Sequence, residues 1–227
     1  MEETRRIRTG KIKSITFNIM RILNLYAGIG GNRKLWGNEH DITAVELDPK
    51  IAEIYKDFFP NDNVIVGDAH KYLEEHFAEY DFIWSSPPCP SHSKIRNEAG
   101  IGRGQNKPIY PDMKLYEEII LMQQVSKVAD LYKGKYAIEN VISYYKPLVA
   151  PQTVGLHYIW SNYVIRPYKK ETRNHFSTIE KLQHTKGFNL DKYQVDKVKL
   201  LRNCTEPETG LWVFNEAFKN NQTSIFQ

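Results

Sequence analysis

Between residues 21 and 141, short apolar runs alternate with helical stretches, and this alternation restricts the fold more than any other feature of the chain. Arg21–Tyr26 and Ile42–Val45 read as buried strands, followed by Val64–Val66, Phe82–Trp84 and Tyr136–Ile138. Between them, Pro49–Phe59 and Lys71–His76 have helical character. Asp112–Leu131 carries Leu115, Ile119, Met122 and Val125 at the spacing of an amphipathic helix. Strands separated by helices run parallel, with helices covering both faces of the sheet, so the expected class is α/β. From about Pro151 the pattern turns strand-like and irregular (Tyr158–Ile165, Lys199–Leu201, Leu211–Phe214) and reads as an addition to that sheet.

At 227 residues the chain suits one domain with a substantial core. Cys89 and Cys204, the two cysteines, supply no disulfide framework and no metal-ligand spacing, so no metal is expected and a reducing, cytoplasmic setting follows. No apolar run approaches the length of a membrane span, and residues 1–10 lack the apolar core of a secretory leader. The net charge of +4 is unevenly placed. Residues 163–202 hold ten Lys and Arg against four acids, and the stretch Ser93–Pro108 adds Lys94, Arg96, Arg103 and Lys107 against Glu98. Two basic segments on a near-neutral body point to a polyanionic partner.

Three strand ends carry chemistry. After the first strand comes Tyr26-Ala27-Gly28-Ile29-Gly30-Gly31, where glycines let the backbone turn sharply and approach a ligand. The second ends in Glu46-Leu47-Asp48-Pro49, which places Glu46 eighteen residues after Gly28, where a carboxylate accepts hydrogen bonds from ribose hydroxyls. The third ends in Gly67-Asp68, an acid suited to an adenine amino group. Together they fit an adenosine-containing cofactor lying across the carboxyl ends of the strands. A triphosphate fits poorly, because the loop lacks Gly-Lys-Ser/Thr. The fourth run leads into Ser85-Ser86-Pro87-Pro88-Cys89-Pro90-Ser91-His92-Ser93. Its prolines exclude helix and central strand, leaving a stiff loop that presents one thiol.

In this order the motifs resemble those of the cytosine-C5 DNA methyltransferases, which use S-adenosylmethionine. The resemblance covers about residues 21–178, with a shorter return near 199–214. Leu23–Gly31 looks like the family's cofactor loop, Val45–Asp48 like its ribose acid motif and Gly67-Asp68 like its adenine-contacting motif. Ser86–Ser93 looks like the Pro-Cys nucleophile loop, although Pro90 and His92 stand where the family has Gln and an aromatic residue. Ile138-Glu139-Asn140-Val141 is similar to the Glu-Asn-Val motif.

The resemblance implies a Rossmann-like S-adenosylmethionine-dependent methyltransferase fold, mostly parallel. It also implies a duplex DNA substrate with its target cytosine flipped out. Cys89 would add as thiolate to C6, in a basic setting supplied by Lys94 and Arg96, while Glu139 assists at N3. Arg173 would hold the base or a phosphate. Cofactor contacts would come from Tyr26, Ala27, Gly28, Gly30, Gly31, Glu46, Leu47, Asp68, Pro88 and Asn203. Nucleic-acid contacts would come from Ser93, Lys94, Arg96, Arg103, Lys107, Lys169, Lys170 and Lys186, with residues 93–108 closing over the base.

The implied organisation is a tail over 1–20, a catalytic and cofactor-binding domain over 21–165, a small basic nucleic-acid-contacting insertion over 166–198 and a return to the catalytic domain over 199–227. Only about Ile179–Lys199 is available for target recognition, so specificity is expected to be short, relaxed or supplied by another subunit or copy. RNA cytosine or a free nucleotide is an alternative acceptor. An amino-group methyltransferase is another reading, because Ser86-Pro87-Pro88 also resembles the Ser/Asp-Pro-Pro-aromatic loop of those enzymes. A non-catalytic cofactor- or nucleic-acid-binding partner subunit is the third. Restriction-modification, self-protection of a mobile element and gene regulation are all compatible with the sequence.

Overall fold

The computed structural model describes residues 19–93, 111–128, 131–168 and 178–219. Seven strands form one sheet in the order β3-β2-β1-β4-β5-β7-β6. β1 (Arg21–Leu25), β2 (Asp41–Glu46), β3 (Asn63–Val66), β4 (Phe82–Ser85) and β5 (Lys135–Val141) are mutually parallel. β7 (His157–Ser161) runs antiparallel to both β5 and β6 (Gln152–Val154). This is the doubly wound, Rossmann-like methyltransferase sheet expected from the sequence. Its strand order reverses between β1 and β4, and open α/β sheets bind their ligands at such a switch point.

The helices start where local chemistry dictates. In α1 (Pro49–Phe58), proline takes the first helical position and the Asp48 carboxylate accepts from the Lys50 amide. Asp68 caps α2 (Ala69–His76) in the same way, accepting from the His70 and Lys71 amides. α3 (Lys114–Lys127) is the amphipathic helix read from Asp112–Leu131, shortened at both ends. Side chains alternate across β1. Leu23 and Leu25 pack with α2 and α3 through Leu73, Tyr116 and Ile119, whereas Ile22 packs on the opposite face against Trp36 and Phe214. Burial on both faces is what a central parallel strand requires.

The C-terminal third departs from expectation. Lys199–Leu201 and Leu211–Phe214 are helical, lying in α5 (Lys197–Asn203) and α6 (Pro207–Ala217). The Asp196 side chain caps α5 by accepting from the Lys199 amide, and Pro207 opens α6. The described part of the expected 166–198 insertion packs on the sheet domain. It carries α4 (Ile179–Lys186), after which Phe188 and Leu190 are buried with Tyr55 and Phe59 in the core that underlies the glycine loop. That core closes one end of the switch-point crevice.

Candidate active site

A cavity of about 420 Å³ opens at the carboxyl ends of β1, β2, β4 and β5. Tyr26, Ala27, Gly28, Gly31, Glu46, Leu47 and Asp68 line it, and so do Pro88, Cys89, Glu139 and Asn203. The expected cofactor end and the expected reactive pair therefore share one space.

At the cofactor end, β1 stops at Leu25, one residue earlier than expected, because Tyr26 already has a φ of 52°. That left-handed geometry costs about 1–2 kcal/mol for a residue with a Cβ. It is held by the Tyr26 hydroxyl, which donates to Glu118 Oε1 at 2.5 Å. Burial and the adjacent Glu118 carboxylate push this phenol well above its ordinary range, so it stays a donor. Glu118, fully buried on α3, also accepts from Ser85 Oγ at 2.6 Å and faces His70 Nδ1 at 3.3 Å. One carboxylate thus fastens the cofactor loop, the end of β4 and the start of α2.

Glu46 accepts from the Gly28 amide through Oε2 at 2.9 Å and from the Asp48 amide through Oε1 at 3.0 Å. Each oxygen keeps a lone pair for a vicinal diol. The glycines divide their work differently from expectation. Gly28, at a φ of 55°, has open space where a Cβ would stand. Gly30 does not line the cavity: its missing Cβ makes room for Phe59 and Tyr55. At Gly31 a Cβ would lie 2.2 Å from Cys204 Sγ and 2.3 Å from the Thr205 carbonyl oxygen, so its bareness lets the C-terminal segment close on the loop. An open glycine, a carboxylate held at Glu46 and a second acid at Asp68 suit an adenosyl ligand.

At the reactive end, β4 passes into the proline loop and Cys89 is half-buried. The Cys89 carbonyl accepts from the His92 and Ser93 amides at 3.0 and 3.2 Å, closing a tight turn. Asn140 Nδ2 donates to the Pro87 carbonyl at 3.0 Å, tying the loop to β5. His92 is buried, with Nδ1 2.5 Å from the Tyr145 hydroxyl. Ser93 pairs with Ser143 in an isolated bridge.

Glu139 is 7% exposed. Its Oε1 lies 2.5 Å from His157 Nδ1 and its Oε2 accepts from Thr205 Oγ1 at 3.5 Å. His157 Nε2 lies 3.0 Å from Glu206 Oε2, and Lys186 Nζ donates to Glu206 Oε1 at 2.9 Å and to the Cys204 carbonyl. Lys186 is therefore corrected: it is 4% exposed and paired inside the protein, so it cannot present its charge to a phosphate. Cys204 is buried and its thiol is pushed up to about 11 by burial, consistent with a structural residue. Lys94, Arg96, Arg103, Lys107, Lys169, Lys170 and Arg173 lie outside the described residues.

The sequence reading missed Glu118, His157 and Glu206. Glu118 was legible, since it stands on the apolar stripe of α3 between Leu115 and Met122, where an acid is out of place. His157 and Glu206 carry no local signal, because the fold alone joins His157 to Glu139 across 18 residues and Glu206 to His157 across 49.

Residues 20–128 match the C-5 cytosine-specific DNA methylase family. Among curated proteins, the chain is 30% identical over 123 residues to a probable DNA (cytosine-5)-methyltransferase of Frog virus 3 (isolate Goorha), covering 53% of each protein. It is 29% identical over 135 residues to the type II methyltransferase M.NgoPII of Neisseria gonorrhoeae, covering 56% of this chain and 39% of that one. It is 24% identical over 155 residues to a tRNA (cytosine(38)-C(5))-methyltransferase of Homo sapiens, covering 60% of this chain and 39% of that one. The chain thus spans about half the length of the first relative and about two-fifths of the others. The family match over residues 20–128, and five motifs in the family's order around one cavity, make the chain similar to the C-5 cytosine-specific DNA methylases.

Proposed function

We propose that the chain methylates C5 of cytosine in DNA, with Cys89 as nucleophile, Glu139 at the N3 edge and S-adenosylmethionine as methyl donor. The observation that carries this reading is that Cys89 and Glu139 line the same cavity, which continues to Gly28, Glu46 and Asp68.

Gly28 lets the backbone approach the cofactor, Glu46 takes the ribose hydroxyls and Asp68 takes the adenine edge. S-adenosylmethionine supplies an electrophilic methyl group on a sulfonium. Cytosine C5 is a weak nucleophile, so Cys89 thiolate bonds to C6 and electron density moves onto C5 and N3. Glu139 gives N3 a proton as that charge develops. C5 takes the methyl group and gives up its hydrogen as a proton to solvent, the C–H electron pair expels the Cys89 thiolate from C6, and N3 returns its proton to Glu139, which restores the ring. Asn140 contributes by fixing Pro87, two residues from the thiol. A duplex must surrender its cytosine to reach Cys89, because C6 is covered by stacked neighbours.

The stretch of about Ile179–Lys199 is short for base-edge readout. Target choice is therefore brief, relaxed or supplied by another chain. RNA cytosine is the second acceptor, favoured by the relative named for tRNA cytosine C5.

The test incubates the protein with methyl-labelled S-adenosylmethionine and either duplex DNA or RNA, followed by nucleoside analysis. Labelled 5-methyldeoxycytidine is expected, and Cys89→Ala and Glu139→Gln should abolish it. Label in N4-methylcytosine or N6-methyladenine, or a product from RNA alone, overturns the reading.

A further inference from the structure

We propose that His157 is a positioning residue that sets the protonation of Glu139, within a buried tetrad completed by Glu206 and Lys186. This rests on the role given to Glu139 above.

Four ionisable side chains arrive from four places: Glu139 from β5, His157 from β7, Glu206 from the turn before α6 and Lys186 from the end of α4. All are less than a tenth exposed. Charges so far from water persist only when each is paired with an opposite charge and hydrogen-bonded. Lys186 has only protons to give, so Glu206 accepts from it as a carboxylate. An ionised Glu206 in turn obliges His157 Nε2 to be the donor across the 3.0 Å contact. Nδ1 is left facing Glu139 Oε1 at 2.5 Å. The Nε2 proton is therefore fixed by a lysine and a carboxylate that never touch the base.

The consequence lies on Glu139. With His157 as imidazolium, Nδ1–H donates to Oε1, and the proton of a neutral Glu139 sits on Oε2, the oxygen that Thr205 Oγ1 approaches at 3.5 Å, and is passed from there to N3. As Cys89 adds to C6, that proton passes to N3. Glu139 becomes an anion beside a cation already in place. When the thiolate leaves, the proton returns, so none is consumed. Loss of one proton from the pair leaves a single proton between Nδ1 and Oε1, turned away from N3, and the step stalls. Glu139 and His157 then titrate as one unit.

The other charged groups are placed consistently. Cys204 beside Lys186 stays a thiol, because burial pushes it up to about 11. β6 sets the apolar Val154 opposite His157. Glu46, Asp68, Asp112, Lys114 and Arg202 line the same cavity.

The test measures single-turnover methyl transfer across pH 5.5–9 for the intact chain, His157→Asn and Glu206→Gln, with cofactor binding and thermal unfolding as checks on folding. His157→Asn keeps a donor for Oε1 but no charge. Its plateau rate should fall about 100-fold, within the range for lost acid–base assistance. Its alkaline limb should move to higher pH, because Glu139 loses the neighbouring cation that favours its anion. Glu206→Gln removes the anion that favours the imidazolium, so its alkaline limb should move to lower pH. Cofactor affinity should hold within about threefold in both. If both profiles coincide with that of the intact chain, or move together, the proposal is overturned. If His157→Asn does not fold, the Glu206→Gln limb decides alone. An intact chain that transfers no methyl group sinks the reading of Glu139 itself, a different failure from unchanged profiles in an active enzyme.

Discussion

Replacing Asn140 by alanine should separate the stability of the reactive end from its geometry. Asn140 is 1% exposed and makes two hydrogen bonds: Nδ2 donates to the Pro87 carbonyl at 3.0 Å, and Oδ1 accepts from the Val141 amide at 3.0 Å. Pro87 is buried, so its carbonyl would be stranded at a cost of about 1–3 kcal/mol. The half-buried Val141 amide reaches water more easily and adds about 0.5–1 kcal/mol. Destabilisation of about 1.5–4 kcal/mol follows, which for a chain of this size lowers Tm by roughly 3–16 °C. The rate effect is larger than that loss alone implies. Pro87 is two residues from Cys89, and a displacement of about 1 Å at a reacting atom costs on the order of 100-fold in rate. Differential scanning calorimetry reads the first quantity and single-turnover methylation with saturating cofactor reads the second. Asn140→Asp retains the acceptor for Val141 but sets a second oxygen against the Pro87 carbonyl, so it should fail in rate as well. An Asn140→Ala protein with the expected Tm loss but a turnover rate within threefold of the intact chain refutes the idea that this link positions the thiol.

Further outcomes follow from the same geometry. Gly31→Ala should lose folded protein altogether, because its Cβ would stand 2.3 Å from the Thr205 carbonyl, whereas Gly28→Ala should cost about 1–2 kcal/mol and weaken cofactor binding; equal Tm values for the two would contradict this. Titration with a disulfide reagent at pH 8 should modify Cys89 rapidly and Cys204 only on unfolding, since burial pushes the latter up to about 11; two fast thiols would count against the site. Burial holds the His92 imidazole below its ordinary value, with Asp112 opposing more weakly. The unfolded chain therefore binds the proton more readily, so His92 contributes stability that is full above about pH 6.5 and is lost as pH falls through the folded value. Hydrogen-exchange protection of the His92 and Ser93 amides, taken relative to the intrinsic exchange rate at each pH, should fall below about pH 6, and His92→Gln should remove that fall; pH-independent protection in the intact chain would contradict the assignment.

Much of this architecture was legible before any coordinates. The parallel strands were readable as short apolar runs, two of them followed by a helix cap: Asp48 before Pro49, Asp68 before Ala69. Cys89 and Glu139 share a cavity because β4 and β5 are neighbours in register, with Ser85 opposite Ile138, as adjacent strand ends in a doubly wound sheet must be. The C-terminal helices were misread because Lys199–Leu201 and Leu211–Phe214 are too short to show a period, although Asp196 and Pro207 were start signals in plain view. Lys186 was misassigned because composition counts a lysine as solvent-facing, whereas the fold buries it against Glu206. His157 was invisible as a partner of Glu139, since antiparallel pairing of β7 with β5 is set by the whole sheet and not by any local pattern.

The central claim is that the Cys89 thiolate bonds to C6 of a cytosine held in this cavity. Duplex DNA carrying 5-fluorocytosine leaves no C5 proton to remove, so the S–C6 bond should persist once the methyl group has been transferred. Incubation with S-adenosylmethionine, denaturation, proteolysis and mass spectrometry should yield a nucleotide adduct on the peptide containing Cys89, and none from Cys89→Ala. Methyl transfer to C5 of ordinary cytosine by the Cys89→Ala protein, or an adduct mapped to any other residue, would contradict the account.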